Sequence, residues 1–215
     1  MIAVITGDII NSRQGKTEVW MQPLKDTLNQ YGSEPNSWEV YRGDSFQLLL
    51  SFEKALIAAY HIKAAVKQTK EYDVRMAIGI GEIKYESSKI TESNGSAFVN
   101  SGECYEELKK QTLAIKSTNN KLDQALNIML SLSLLTTNNW SSTVSEVIKT
   151  AIEHPNKSQK KIAQLLSKSQ SSISEALKRG GFDEIMKMNE YYQNNILYLL
   201  TIFFISVVSI LLIYV

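Results

Sequence analysis

SWEVYRGDSFQLLLSF, Ser37–Phe52, sets two runs of strand-forming residues on either side of Gly43-Asp44. A short glycine-containing link between such runs is the signature of an antiparallel hairpin. Upstream, IAVITG (Ile2–Gly7) is a continuous apolar run closed by glycine, which suits a strand buried on both faces. Between it and the hairpin, TEVWMQPLKDTLNQYG spaces Trp20, Leu24, Thr27, Leu28 and Tyr31 as one face of a helix. Downstream, Glu53 to Glu71 carries Ala55, Ala58, Ala59, Ile62, Ala65 and Val66 on one stripe, followed by the long apolar strand YDVRMAIGIGEI. A helix from about Gly95 to Lys110 and the short strand TLAIKS (Thr112–Ser117) complete the series. The order βαββαβ, extended by one αβ unit, predicts an α+β, ferredoxin-like antiparallel sheet with helices on one face. In that topology the end of the first strand and the hairpin share one rim, so Asp8 and Asp44 become neighbours.

The chain of 215 residues carries a formal net charge of +1 with 44% hydrophobic residues, which excludes a disordered tail and a globally basic nucleic-acid binder. Any DNA-facing surface has to be local. The one cysteine, Cys104, excludes an intramolecular disulfide and a cysteine-based zinc site. MIAVITGD lacks the basic region and cleavage pattern of a secretory signal, so the main body reads as cytoplasmic. The last stretch, ILYLLTIFFISVVSILLIYV over 196–215, has no charge and no proline. Its length matches a bilayer crossing, which predicts a transmembrane helix holding the protein at the inner face of the cell membrane. A buried core helix or an oligomerisation helix is the alternative.

Two carboxylates at a sheet rim, each beside a glycine, are what a divalent ion bridging nucleotide phosphates requires, although aspartate is also common at strand ends and turns. The stretches GDII, GDSF, VRMAIGIGEI and GSAFVNSGECYEELKK resemble the catalytic core of class III nucleotidyl cyclases, over the part of the chain before Ser117. That resemblance implies Asp8 and Asp44 as ligands for Mg2+ or Mn2+ with a nucleotide, and Arg42, Gly43 and Asn100 as phosphate partners. The chain departs from the cyclase pattern at the base-recognising lysine, near Val40, and at the catalytic arginine, where it has Cys104. Losing such an arginine typically costs ~100–1000-fold in rate, so no catalytic residue is assigned. Gly79 and Gly81 of IGIGE read as packing glycines in a strand. His61, inside a helix, and His154, before a proline, read as surface or capping residues.

Beyond the polar break STNN the strand pattern stops, which places one domain over 1–118 and a helical domain over 119–190. KSQKKIAQLLSKSQSSISEALKRGG holds a helix-turn-helix over 158–179: Ala163 where the helices cross, Ser167 at the turn in place of the commoner glycine, and Ile173 in the second helix. That second helix would present Gln170, Ser171, Ser172 and Ser174 to base edges and phosphates. Between Lys157 and Arg179 there are six Lys/Arg and one Glu, which supplies the local basic surface. Lys160, Lys161, Lys168, Lys178 and Arg179 are its DNA-contacting candidates. Trp140, Val144, Val147 and Ile148 predict a supporting helix; Phe182 to Asn195 reads as a final helix that links to the membrane or pairs with a second copy.

The set MIAVITGDIINSR, YRGDSF, RMAIGIGE, ESNGSAFVNSGE and QKKIAQLLSKSQSSISEALKR resembles the SatD family of bacterial proteins, up to about residue 190. The resemblance implies a transcriptional regulator that joins a cyclase-like domain to a helix-turn-helix. Together these readings predict a DNA-binding homodimer, modulated by a nucleotide or metal at the Asp8/Asp44 rim. The alternatives are a metal-dependent nucleotidyl cyclase or nucleotidyltransferase whose helical domain dimerises, and a structural membrane adaptor.

Overall fold

The computed structural model describes residues 1–196. Strand β1 (Ile2–Ile10) is followed by α1 (Thr17–Leu28), the hairpin β2 (Trp38–Tyr41) and β3 (Ser45–Ser51), α2 (Ala55–Lys67) and β4 (Asp73–Gly81). Next come α3 (Ser96–Glu107), β5 (Leu113–Lys116), α4 (Asn120–Thr137), α5 (Ser142–Glu153), α6 (Gln159–Leu165) and α7 (Gln170–Gly180). A further helix, α8, runs over 182–196.

The five strands form one sheet in the order β2-β3-β1-β4-β5. The first four are antiparallel, with the connectivity of a ferredoxin-like βαββαβ unit, and β1 is central because its Ala3-Val4-Ile5 core is apolar toward both faces. On one face Ile5, Phe46, Leu48, Met76 and Ile78 share a core with Trp20 and Leu24 of α1 and with α2. Helix α2 is buried nearly all round, since its alanine-rich far side receives α5.

Two features of the sheet correct the expected form. β5 runs parallel to β4, so the sheet is mixed. The crossover between them, α3, lies on the opposite face from α1 and α2, because parallel neighbours need a helical connection and the glycines of β4 make room for it there. A Cβ on Gly79 would fall 2.2 Å from Ser101 N and 2.3 Å from Ala97 O. Thr6 Oγ1 and Ser101 Oγ, 3.0 Å apart, tie the same helix to β1.

The helical half is continuous with this core. Asn127 of α4 clamps the edge strand, accepting from Ile115 N at 2.9 Å and donating to Ile115 O at 2.8 Å, which satisfies backbone groups that an open edge would expose. Trp140 Nε1 donates to Gly180 O at 3.0 Å. At the far end, Tyr192 donates to Phe52 O at 2.5 Å and Gln193 to Glu53 O at 3.0 Å.

The expected membrane-crossing helix is also corrected. Among the described residues no helix is long and apolar enough to cross a membrane. Ile196, taken as the first residue of that span, is 1% exposed and belongs to the core of the folded body. The rest of the span, 197–215, lies outside the described residues.

Candidate functional site

Strand register builds the rim. Tyr41 pairs with Ser45, Ser45 with Asp8 and Asp8 with Arg75, so four polar side chains form a row across β2, β3, β1 and β4. Asp44 stands beside this row: Ile9 N donates to its carbonyl at 3.1 Å, and its carboxylate accepts from the Ser12 hydroxyl. The backbone therefore brings Asp8 and Asp44 to one rim. Arg42 and Gly43, exposed at the hairpin tip, both have positive φ, 54° and 92°.

The chemistry at Asp8 is set by a residue that pattern reading did not single out. Arg75 donates from Nε and Nη2 to the two Asp8 oxygens, each at 3.1 Å. Its Nη2 also donates to Tyr105 Oη at 2.8 Å, and the guanidinium stacks 4.6 Å from the Tyr105 ring centroid. The hydrogen bonds it donates to Asp8 hold the guanidinium's pKa above its ordinary value. Burial first, then the neighbouring Asp8, pushes the Tyr105 phenol up to about 12. A fixed organic cation thus sits where the cyclase resemblance would put a metal, and among the described residues no group of three or more His, Cys, Asp or Glu side chains could hold one.

Asn100 is not brought to this rim. Its Nδ2 donates to Ile80 O at 2.7 Å, toward the other end of β4, where it fastens α3 to the sheet. Cys104 is buried with Ala77, Leu108 and Ala114; burial, with Glu107 beside it, pushes its thiol up to about 12. Gly79 and Gly81 are packing glycines against α3.

The second candidate surface is the α6–α7 pair. Ile162, Ala163, Ile173, Ala176 and Leu177 form its buried seam, and Trp140, Val144, Val147 and Ile148 back it. Ser167 takes a left-handed conformation at the turn, φ 51°. Ser158 caps α6 through Lys161 N, and Ser169 caps α7 through Ser172 N at 3.1 Å. Gln170, Ser171, Ser172 and Ser174 are exposed on α7, as are Lys160, Lys161, Lys178 and Arg179 around it. Ser169 organises this end further, with its Oγ 2.9 Å from Ser171 Oγ and 2.8 Å from Ser172 Oγ. Lys168 differs from the others: it is half-buried and paired with Glu146 of α5 at 3.1 Å. Ser174, Lys178 and Arg179 border a groove of about 1060 Å³ between α4, α7 and α8.

His61 departs most from its expected surface role. It is 1% exposed, with Nδ1 2.9 Å from Tyr31 Oη and Nε2 3.3 Å from Glu153 Oε1. Because a carboxylate only accepts, the Nε2 must carry the proton. Gln30 and Lys149 donate to the same Glu153 oxygen at 2.7 Å and 2.5 Å. This knot joins the turn after α1 to α2 and α5, linking the sheet body to the helices that carry α6 and α7.

A mixed five-stranded α+β body with a basic two-helix unit built onto its core is the class that fold and sites define. The chain belongs to the SatD family, whose sequence model matches residues 1–196. No curated protein matches it.

Proposed function

We propose that the chain is a DNA-binding transcriptional regulator in which α6 and α7 act as a helix-turn-helix. One observation carries this reading: the capped N-terminus of α7 presents Gln170, Ser171 and Ser172 to solvent, flanked by exposed Lys160, Lys161, Lys178 and Arg179, over an apolar seam that holds the pair rigid. The polar groups are suited to base edges and the cations to phosphates. Two copies, one on each half-site of a pseudo-palindromic operator, give such a reader its usual reach.

Binding to DNA from upstream of the chain's own gene, followed by fluorescence anisotropy across a salt series, tests the reading. Affinity should fall linearly in log–log form as salt rises. Paired Gln170→Ala and Ser172→Ala changes should abolish preference for the specific site while leaving the salt slope. Lys160→Ala should weaken all sequences alike and reduce the slope by about one. Equal affinity of the unaltered protein for the upstream DNA and for unrelated DNA, or an undiminished preference for the upstream site after the α7 changes, would overturn it.

A nucleotidyl cyclase or nucleotidyltransferase is the second reading, supported by the shared rim of Asp8 and Asp44. Manganese-dependent turnover of a nucleoside triphosphate, abolished by Asp8→Ala or Asp44→Ala, would establish it in place of the first. The Arg75–Asp8 pair speaks against that outcome.

A further inference from the structure

Helix α4 turns Leu122, Leu126, Leu130 and Leu134 into the core. A surface helix ordinarily carries charge on its other side, yet no charged residue occurs from Gln124 to Asn139. Instead Ile128, Leu132 and Leu135 stand at helical spacing as an outward ridge, 55%, 61% and 72% exposed. Beside the ridge lies the groove of about 1060 Å³ between α4, α7 and α8, whose apolar lining includes Met129, Leu177, Ile185, Met188 and the exposed Tyr191. That volume is at the top of the range for small-molecule sites and suits a row of side chains. The lining also carries charges of both signs: Lys178, Arg179 and Lys187 against Asp183 and Glu184. An apolar centre with mixed charges around it is the anatomy of a protein–protein interface, whereas a polyanion or a lipid surface calls for cations alone.

We propose that this face joins two copies of the chain about a twofold axis, the α4 ridge of each copy seated in the groove of the other. A twofold contact requires a surface complementary to itself. Ridge and groove side by side on one face meet that requirement in shape. The mixed charges meet it electrostatically, where charges of one sign would repel a second copy. Gln170, Ser171 and Ser172 do not line the groove, so a second copy seated there leaves the base-reading end of α7 open, while Lys178 and Arg179 come to the rim of the contact. Resting on the DNA-reader reading, the consequence is that this contact sets the spacing of the two α7 helices on an operator.

Sedimentation of the full chain over a concentration series should show a monomer–dimer equilibrium, with a melting temperature that rises with protein concentration. Leu132→Glu and Leu135→Glu each place a charge on an exposed position, so the folded monomer should survive both. Because each change enters a twofold interface twice, it should weaken dimerisation by about ten-fold or more and remove the concentration dependence of melting. Leu165→Glu, on an exposed leucine of α6 outside the groove, is the control and should alter neither. A monomeric wild type overturns the proposal; if it also melts lower after Leu132→Glu, residues 197–215 of the same chain are the occupant instead. Self-association that both α4 variants leave intact, or that Leu165→Glu weakens equally, overturns it too. These measurements contain no DNA, so the dimer stands or falls apart from the DNA-reader reading. The anisotropy assay then reads the consequence: Leu132→Glu should bind a two-half-site operator about ten-fold or more weakly than wild type, and a single half-site equally well. Unchanged affinity for the full operator retires the spacing role and leaves the dimer standing.

Discussion

Arg75 on β4 grips Asp8 on β1 through both carboxylate oxygens at 3.1 Å, at the rim where Asp44 also arrives. The pair is partly open, with the two side chains 34% and 25% exposed, so its contribution to stability is modest. A double-mutant cycle with Asp8→Ala and Arg75→Ala should give a coupling of about 0.5–1.5 kcal/mol. The functional expectation is sharper. Mn2+ should leave the melting temperature of the wild type unchanged, since a cation already occupies Asp8, and should raise it in Arg75→Ala, where Asp8 and Asp44 are left without one. A wild-type protein that Mn2+ stabilises would reverse the assignment of Arg75.

Lys63 is 0% exposed and reaches Asp73 at 2.8 Å, with Lys67 on the other Asp73 oxygen at 3.1 Å. Burial pulls the Lys63 ammonium down to about 8, against the upward pull of Asp73. A base whose folded value lies below its unfolded one costs stability wherever both states are protonated, and that cost is relieved as pH rises from about 8 toward 10.5. Relative to Lys63→Met, wild-type stability should therefore rise by ~2 kcal/mol across that interval. At neutral pH Lys63→Met should be within ~1 kcal/mol of wild type or more stable, because Lys67 remains to hold Asp73. Urea titrations at pH 7, 9 and 10 check both parts; a wild-type advantage that shrinks with rising pH contradicts them.

Gly79 and Gly102 make an internal control for the packing of α3. At Gly79 a methyl group would strike the helix backbone at 2.2 Å, and backbone cannot swing aside. Gly79→Ala should cost ~3 kcal/mol or more. At Gly102, inside α3, nothing lies within 4 Å of the added carbon, so Gly102→Ala should stabilise by ~1 kcal/mol through helix propensity alone. Equal effects at the two positions would mean that α3 does not approach β4 so closely.

The strands were readable because each carries its own signal: IAVITG is apolar without interruption, and the Gly43-Asp44 link fixes the hairpin that puts Asp44 beside Asp8. The α6–α7 pair was readable for the same reason, with Ala163, Ser167 and Ile173 at local spacing. What stayed hidden depends on pairing over long separations. Arg75 reads as one outward residue of a buried strand, and only the β1–β4 register opposes it to Asp8. His61 reads as an interruption in an alanine stripe, and only the docking of α5 onto α2 supplies Glu153. Ile196 shares the apolar character of the residues after it, so composition gave no mark that the folded body extends to it.

Glu153 offers a test of how the two halves are held together. Burial pushes its carboxyl up, but hydrogen bonds from His61, Lys149 and Gln30 outweigh that and hold it at about 2. A carboxylate lowered in the folded state stabilises it above the unfolded value of 4.5, and this stabilisation fades as pH falls from there toward 2. Glu153→Gln removes the charge but keeps an acceptor for His61 Nε2, so the two proteins should differ by ~1–2 kcal/mol at pH 7 once solvent screening is allowed for. The gap should be constant above about pH 5 and close progressively through pH 3, as the wild type alone loses the contribution. Denaturant unfolding of both proteins at pH 7, 4 and 3 measures it, and a gap that stays flat across that range rules out Glu153 as the charged centre of the knot.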